Sequence, residues 1–173
     1  NDDIYVTGNL GDSFTGLQVL RNKIKVQKRI KNYFVNKYYH PNIQINLTKS
    51  LFRYANTSID ISDGLITDVE KMINKQNFSY VLNKDKVPIS KSLFNLIKIK
   101  RLDKSDLISQ GDDYQILFTA SPAKARIISF TSKNLGIKIT KIGKITSGNK
   151  KSIIIDQKGR QMVIKNKGYT HRF

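Results

Sequence analysis

The stretch Ser58-Ile59-Asp60-Ile61-Ser62-Asp63-Gly64-Leu65 gathers two carboxylates and two hydroxyls into one octapeptide. The hydrophobic period changes inside it. Ile59 and Ile61 alternate with Asp60 and Ser62 as on a strand, whereas Leu65, Val69, Met72 and Ile73 recur at the spacing of an amphipathic helix entered at Gly64. A strand-to-helix junction predicts that Asp60 and Ser62 leave one face of the strand's end and that Asp63 lies in the first helical turn. Hard oxygen ligands would then converge near a helix N-terminus. Paired carboxylates suit Mg²⁺, while the adjacent amides and the Ser62 hydroxyl suit phosphate oxygens. The same spacing also suits a plain cap, in which Ser62 or Asp63 satisfies free helix N–H groups and Asp60 is a solvated strand end.

Two other loops have related chemistry. Gly8-Asn9-Leu10-Gly11-Asp12-Ser13 follows a strand-like run, Ile4-Tyr5-Val6-Thr7, and opens a helix. It could cradle phosphate, yet it lacks the G-K-[ST] of a P-loop and the third glycine of a dinucleotide fingerprint; a turn capped by Asp12 or Ser13 is the plainer reading. Gln110-Gly111-Asp112-Asp113-Tyr114 is an acidic glycine loop or, equally simply, a turn into the next strand. His40 and His171 are far apart with no cysteine, which makes a zinc site improbable, and no G-x-S-x-G nucleophile motif occurs.

The elements that must position these loops follow from pattern. Ile30, Phe34 and Tyr38 share one helical face that ends at His40-Pro41-Asn42, and a short helix is expected over 48–54. A strand over 57–62 leads into the helix from Gly64. Beyond it come a strand over 78–82, a link containing Pro88, and an apolar helix or extended run over 93–99. A strand over 114–119 precedes a helix with Ser121 as N-cap, Pro122 at its first position and Gly136 closing it. Strands over 137–145, 153–156 and 162–164 complete the chain, the last two around Lys158-Gly159. Helices alternate with strands early and strands cluster late, so the expected fold is α/β (α+β), a two-layer sandwich of a mixed sheet with helices packed on it, in one domain over 1–173.

Composition narrows the function classes. With 173 residues, 39% hydrophobic and 25% charged, the chain is expected to bury a core as one compact domain. No apolar run of membrane-spanning length, no secretory segment and no cysteine occur, so a cytoplasmic protein is the default expectation. The chain starts at Asn1 and enters a strand almost at once, as expected of a piece of a longer protein. The net charge of +18 would attract nucleic acid or another anionic surface. A composition dominated everywhere by Lys, Asn and Ile also follows from an AT-rich genome, and the basic residues are spread along the chain. Glu70 is the only glutamate, and several aspartates stand beside glycines, as site chemistry in loops would require.

In order along the chain, the segments DDIYVTGNLGDSFTGL (2–17), SIDISDGLITDVEKM (58–72), VPIS (87–90), QGDDYQILFT (110–119) and KGYTHRF (167–173) resemble the C-terminal half of the thiamine-monophosphate kinase family. That family belongs to the superfamily of aminoimidazole ribonucleotide synthetase and selenophosphate synthetase. The resemblance implies Mg²⁺-dependent transfer of the γ-phosphoryl group of ATP to thiamine monophosphate, giving thiamine diphosphate. It implies Asp60 and Asp63 as Mg²⁺ ligands, Ser62 as an ATP contact, and Asp112 and Tyr169 as substrate contacts. It also implies an N-terminal half, absent from this chain, that supplies most metal-binding aspartates and the homodimer interface, so the fragment alone is expected to be inactive. Phosphoryl transfer between two anions needs charge neutralisation and alignment more than covalent chemistry, which carboxylate-held Mg²⁺ provides. The chain departs from the family pattern G-G-E-D-Y-E at Gln110, Asp112 and Gln115, and has Thr170 where aspartate is usual. Two alternatives stand beside this reading: another ATP-using enzyme of the superfamily, and a basic nucleic-acid-binding module.

Overall fold

The computed structural model describes residues 1–73, 76–148, 151–163 and 168. Seven strands form one sheet: β1 (Asp3–Thr7), β2 (Thr57–Asp60), β3 (Phe78–Asn83), β4 (Ile116–Ala120), β5 (Ile139–Ser147), β6 (Ile153–Ile155) and β7 (Gln161–Met162). Their spatial order is β2-β4-β1-β5-β3-β6-β7. The sheet is mixed, since β6 runs parallel to β3 while the other neighbours are antiparallel. The helices are α1 (Asp12–Leu20), α2 (Lys28–Tyr39), α3 (Thr48–Leu51), α4 (Leu65–Ile73), α5 (Lys91–Lys100), α6 (Lys104–Ile108) and α7 (Ala125–Leu135). This is the α/β class expected from the pattern, with helices packed on a mixed sheet.

The sheet sorts its side chains by alternation. Ile4 and Val6 of β1 join Leu117, Ile142 and Leu82 in a core covered by Leu65 and Val69 of α4. Tyr5, between them in sequence, belongs to a second cluster with Phe118, Tyr54 and Ile128 of α7, its ring stacked on Phe118 at 5.2 Å. All of β1 is buried, as suits a central strand. A third cluster, built on Phe34, Leu93, Leu96 and Leu107, ties α2, α5 and α6 together. Gly16 permits α1 to lie on α2, because a Cβ there would stand 2.2 Å from the Phe34 carbonyl oxygen.

Several boundaries differ from the sequence pattern. The strand expected over 57–62 stops at Asp60, and that expected over 114–119 begins at Ile116. α6 has no counterpart in the sequence reading; Asp103 starts it by accepting the Ser105 amide at 2.8 Å. Pro122 opens a 3₁₀ turn before α7, with no hydrogen bond from the expected Ser121 cap, whereas Gly136 closes α7 at φ 62 as expected. Ile164, the expected end of the last strand, lies outside the described residues. Among the described residues no helix is long and apolar enough to cross a membrane.

Candidate active site at the crossing of two acidic loops

β2 ends at Asp60, which is exposed on the edge strand, and the chain then crosses residues 61–64 before α4 begins. The free amides of this turn are not capped by Ser62 or Asp63. Asp68, fully buried one turn into α4, reaches back, and its Oδ2 accepts the amides of Ser62 at 3.1 Å, Asp63 at 3.0 Å and Gly64 at 3.0 Å. A carboxylate is well placed there because it meets both the orphan N–H groups and the positive end of the helix dipole. The expectation that these amides are available to phosphate is thereby corrected: Asp68 already takes them, and ligand chemistry falls to the side chains of Ser62 and Asp63. Asp63 sits before α4 instead of inside its first turn, and its carboxylate pairs with Lys71, which also donates to Asp68 Oδ1 at 2.8 Å.

The loop over 109–114 lies against this turn, backbone on backbone. Ser62 O accepts the Asp112 amide at 3.0 Å, and Ile61 O accepts the Tyr114 amide at 2.9 Å. Two glycines make the approach possible. A Cβ on Gly111 would stand 1.7 Å from Ser62 O, and one on Gly64 would stand 1.8 Å from Ser109 O. Asp112 takes a left-handed conformation, φ 68, and its carboxyl is raised from the usual range by burial and then by the negative charge of Asp63. Ser62, Asp63 and Asp112 are therefore brought together. Gly168 packs on the same turn, where a Cβ would meet Thr67 Oγ1 at 2.4 Å and Asp63 O at 2.5 Å. Tyr169 and Thr170 follow it in sequence but lie outside the described residues.

Asp113, the neighbour of Asp112, does something different. It is buried, and its Oδ2 and Oδ1 accept the amides of Gly11 at 2.7 Å and Ser13 at 3.3 Å. Burial pushes its carboxyl up to about 7, against those two amides, which favour the charged form. The cap of α1 is thus a residue from the other acidic loop, and not Asp12 or Ser13 as the sequence suggested; Gly11 is the N-cap residue, at φ 88. Asp12 is itself buried and accepts the Tyr33 hydroxyl at 2.8 Å and the Ser90 hydroxyl at 2.7 Å. Ser90 in turn caps α5 by accepting the Leu93 amide at 3.0 Å.

The departure at Gln115 has a physical reason in this network. Its Oε1 accepts from Thr7 Oγ1 at 2.9 Å and Gln44 Nε2 at 3.2 Å, while its Nε2 donates to Asn42 O at 2.9 Å. A buried neutral amide can accept and donate at once, whereas an ionised carboxylate can only accept. Sequence reasoning missed Asp68 and Asp113 as the residues that fix the loops. Asp68 had a local signal, an acid three residues into the helix; the partners of Asp113 lie about a hundred positions away in sequence.

The donors at the crossing are all oxygens, the chemistry a hard dication selects. Among the described residues no three His, Cys, Asp or Glu side chains gather as a metal-holding cluster, so Asp60, Asp63 and Asp112 do not form a complete site among themselves. A groove of about 690 Å³ lies elsewhere, between Lys25–Ile30 and α5, and shares no lining residue with the two loops. Its lining includes no carboxylate, the group that sets the chemistry at the crossing.

No family model matches the chain. It is 35% identical over 171 residues to thiamine-monophosphate kinase from Buchnera aphidicola subsp. Schizaphis graminum, covering 98% of this chain and 52% of that protein. It is 29% identical over 171 residues to the enzyme of the same name from Escherichia coli, again at 98% and 52% coverage. Among solved structures it superposes on AaThiL complexed with AMPPCP and TMP with TM-score 0.77 and 26% identity, over 99% of this chain and 51% of that one. It matches the hydrogenase maturation protein HypE of E. coli in fold alone, with TM-score 0.70 and 14% identity over 95% of this chain and 49% of that one. The chain spans about half the length of the curated relatives it matches. Over almost all of its own residues, and in fold, this chain is similar to about half of a thiamine-monophosphate kinase.

Proposed function

We propose that this chain is the C-terminal half of a cytoplasmic, homodimeric kinase that transfers the γ-phosphoryl group of ATP to thiamine monophosphate, and that an N-terminal half supplies further metal ligands. The observation that carries this reading is the backbone contact that sets the Asp112 loop against the turn holding Ser62 and Asp63. Asp60 and Asp63 would hold Mg²⁺, which when bound neutralises the phosphates between which the phosphoryl group moves.

The remaining work falls to the chain's own side chains. The Ser62 hydroxyl donates to a phosphate oxygen of ATP from a turn held rigid by Asp68. Asp112 directs its carboxylate at the cationic thiazolium of the substrate, and Tyr169 packs against the same ring. Because Asp112 is raised in pKa, a cationic ligand favours its ionised form and is favoured by it in return. Asp113 holds the Asp112 loop to the start of α1 and keeps the two loops in register.

The test is formation of thiamine diphosphate from thiamine monophosphate, ATP and Mg²⁺, followed by chromatography. The intact protein should form it, and the 173-residue chain alone should not. An intact protein without that activity would refute the proposal.

A further inference from the structure

The Asp63 carboxylate already has a cation. Lys71 extends from the last turn of α4, its ammonium bonded to Asp63 on one side and to Asp68 Oδ1 at 2.8 Å on the other. The three groups differ in freedom. Asp68 is fully buried, and its second oxygen is committed to three amides, so it cannot follow a moving partner. The Lys71 side chain is 43% exposed and that of Asp63 is 13% exposed. An ion pair with one partner in solvent contributes little net stability, and a lysine ammonium on its four-carbon stem re-aims easily. Lys71 therefore has one fixed anchor, Asp68, and one releasable partner, Asp63.

We propose that Lys71 is a built-in counter-ion of the metal site, which neutralises Asp63 when no divalent cation is bound and must yield that carboxylate for the cation to bind. The inference rests on the reading of Asp63 as a metal ligand. It goes beyond that reading in assigning to Lys71 the concentration range over which the site fills. A dication brings two charges to a turn where Asp63 and Asp68 share one ammonium and the Asp112 loop lies alongside, and so screens more carboxylate repulsion than that ammonium can. Lys71 opposes it twice, by holding a ligand and by repelling the incoming charge. After release the ammonium keeps its bond to Asp68 through a change of its own side-chain rotamer. The turn over 62–64 stays in place, because Asp68 Oδ2 takes no part in the exchange.

The experiment is Mn²⁺ binding to the intact protein, read by electron paramagnetic resonance of the free ion, with Mg²⁺ as competitor and no nucleotide present. Lys71→Met keeps the stem and removes the charge, and should lower the half-saturating Mn²⁺ concentration on the order of tenfold, the scale on which one adjacent charge alters a carboxylate's affinity for a cation. Lys71→Arg keeps the charge and should bind like the wild type. Unchanged or weaker binding in Lys71→Met would overturn the proposal; weaker binding together with loss of metal-free ATP binding would make Lys71 a phosphate contact instead. Asp63→Asn separates the two layers of the argument. If it leaves Mn²⁺ binding intact, the reading of Asp63 as a ligand fails; if it removes binding while Lys71→Met changes nothing, that reading stands and the role of Lys71 fails.

Discussion

Asp112 and Asp113 are adjacent, yet they belong to different parts of the protein's economy. Asp113 is buried and bonded to two backbone amides at the start of α1, while the Asp112 amide donates to Ser62 O at the loop crossing. The turn before α4 repeats this division: Asp68 is buried and takes three amides, while the partly buried Asp63 pairs with Lys71. Each loop thus contains one acid that builds it and one that it presents. The comparison teaches that an aspartate near a helix start is ambiguous until its amide partners are known, because the building acid uses up the N–H groups that a ligand would otherwise meet.

The division predicts which changes break function and which break structure. The largest effect belongs to a presented acid: Asp63→Asn in the intact protein should cut turnover on the order of 10³-fold, roughly 4 kcal/mol of transition-state stabilisation, with the fold retained by circular dichroism. A building acid should show the converse. Asp68→Ala leaves three amides without their acceptor, that of Gly64 buried and those of Ser62 and Asp63 partly so, and should cost about 2–4 kcal/mol of stability in denaturant titration, with activity lost only as the loop loosens. Gly111→Ala forces a Cβ onto Ser62 O and should cost about 1–3 kcal/mol while separating Asp63 from Asp112, so its melting temperature and its turnover should fall together.

A further effect is a slope in pH. Asp113 has a folded-state pKa of about 7, above its unfolded value near 3.8, so the folded protein binds more protons between those values. Stability from this group is complete below about pH 4, falls as pH rises through about 7 and then levels, by at most about 1.4 kcal/mol per pH unit. Burial shifts Asp12 in the same direction. Unfolding free energy measured from pH 5 to 8 should fall across that window, and Asp113→Asn should flatten the fall. A slope that persists in the variant would assign it to other groups.

Much of this was legible in the sequence, and the reasons for the remainder are specific. The four-residue spacing of Ile30, Phe34 and Tyr38 marks α2, because a packed face repeats itself locally. The junction before α4 was legible as a change of period. Its cap was not: Ser62 and Asp63 had the better cap chemistry by type, and Asp68 took the role because one turn of helix points its carboxylate back at three amides. The strand over 57–62 ends two residues early for the same reason, since the Ser62 amide turns away from the ladder toward Asp68. α6 is only five residues long and shows no period to read. The bond between Asp113 and Gly11 is a product of sheet order, with β4 beside β1, which no local window contains.

A double-mutant cycle on kcat/KM for thiamine monophosphate in the intact protein, using Asp63→Asn and Asp112→Asn, reads directly whether the two acids act together. If the two presented acids serve one site, Asp112→Asn alone should mainly raise KM, and it should cost far less when Asp63 is already neutral. Effects that multiply independently, or an Asp112→Asn enzyme with unaltered KM, would contradict a shared site.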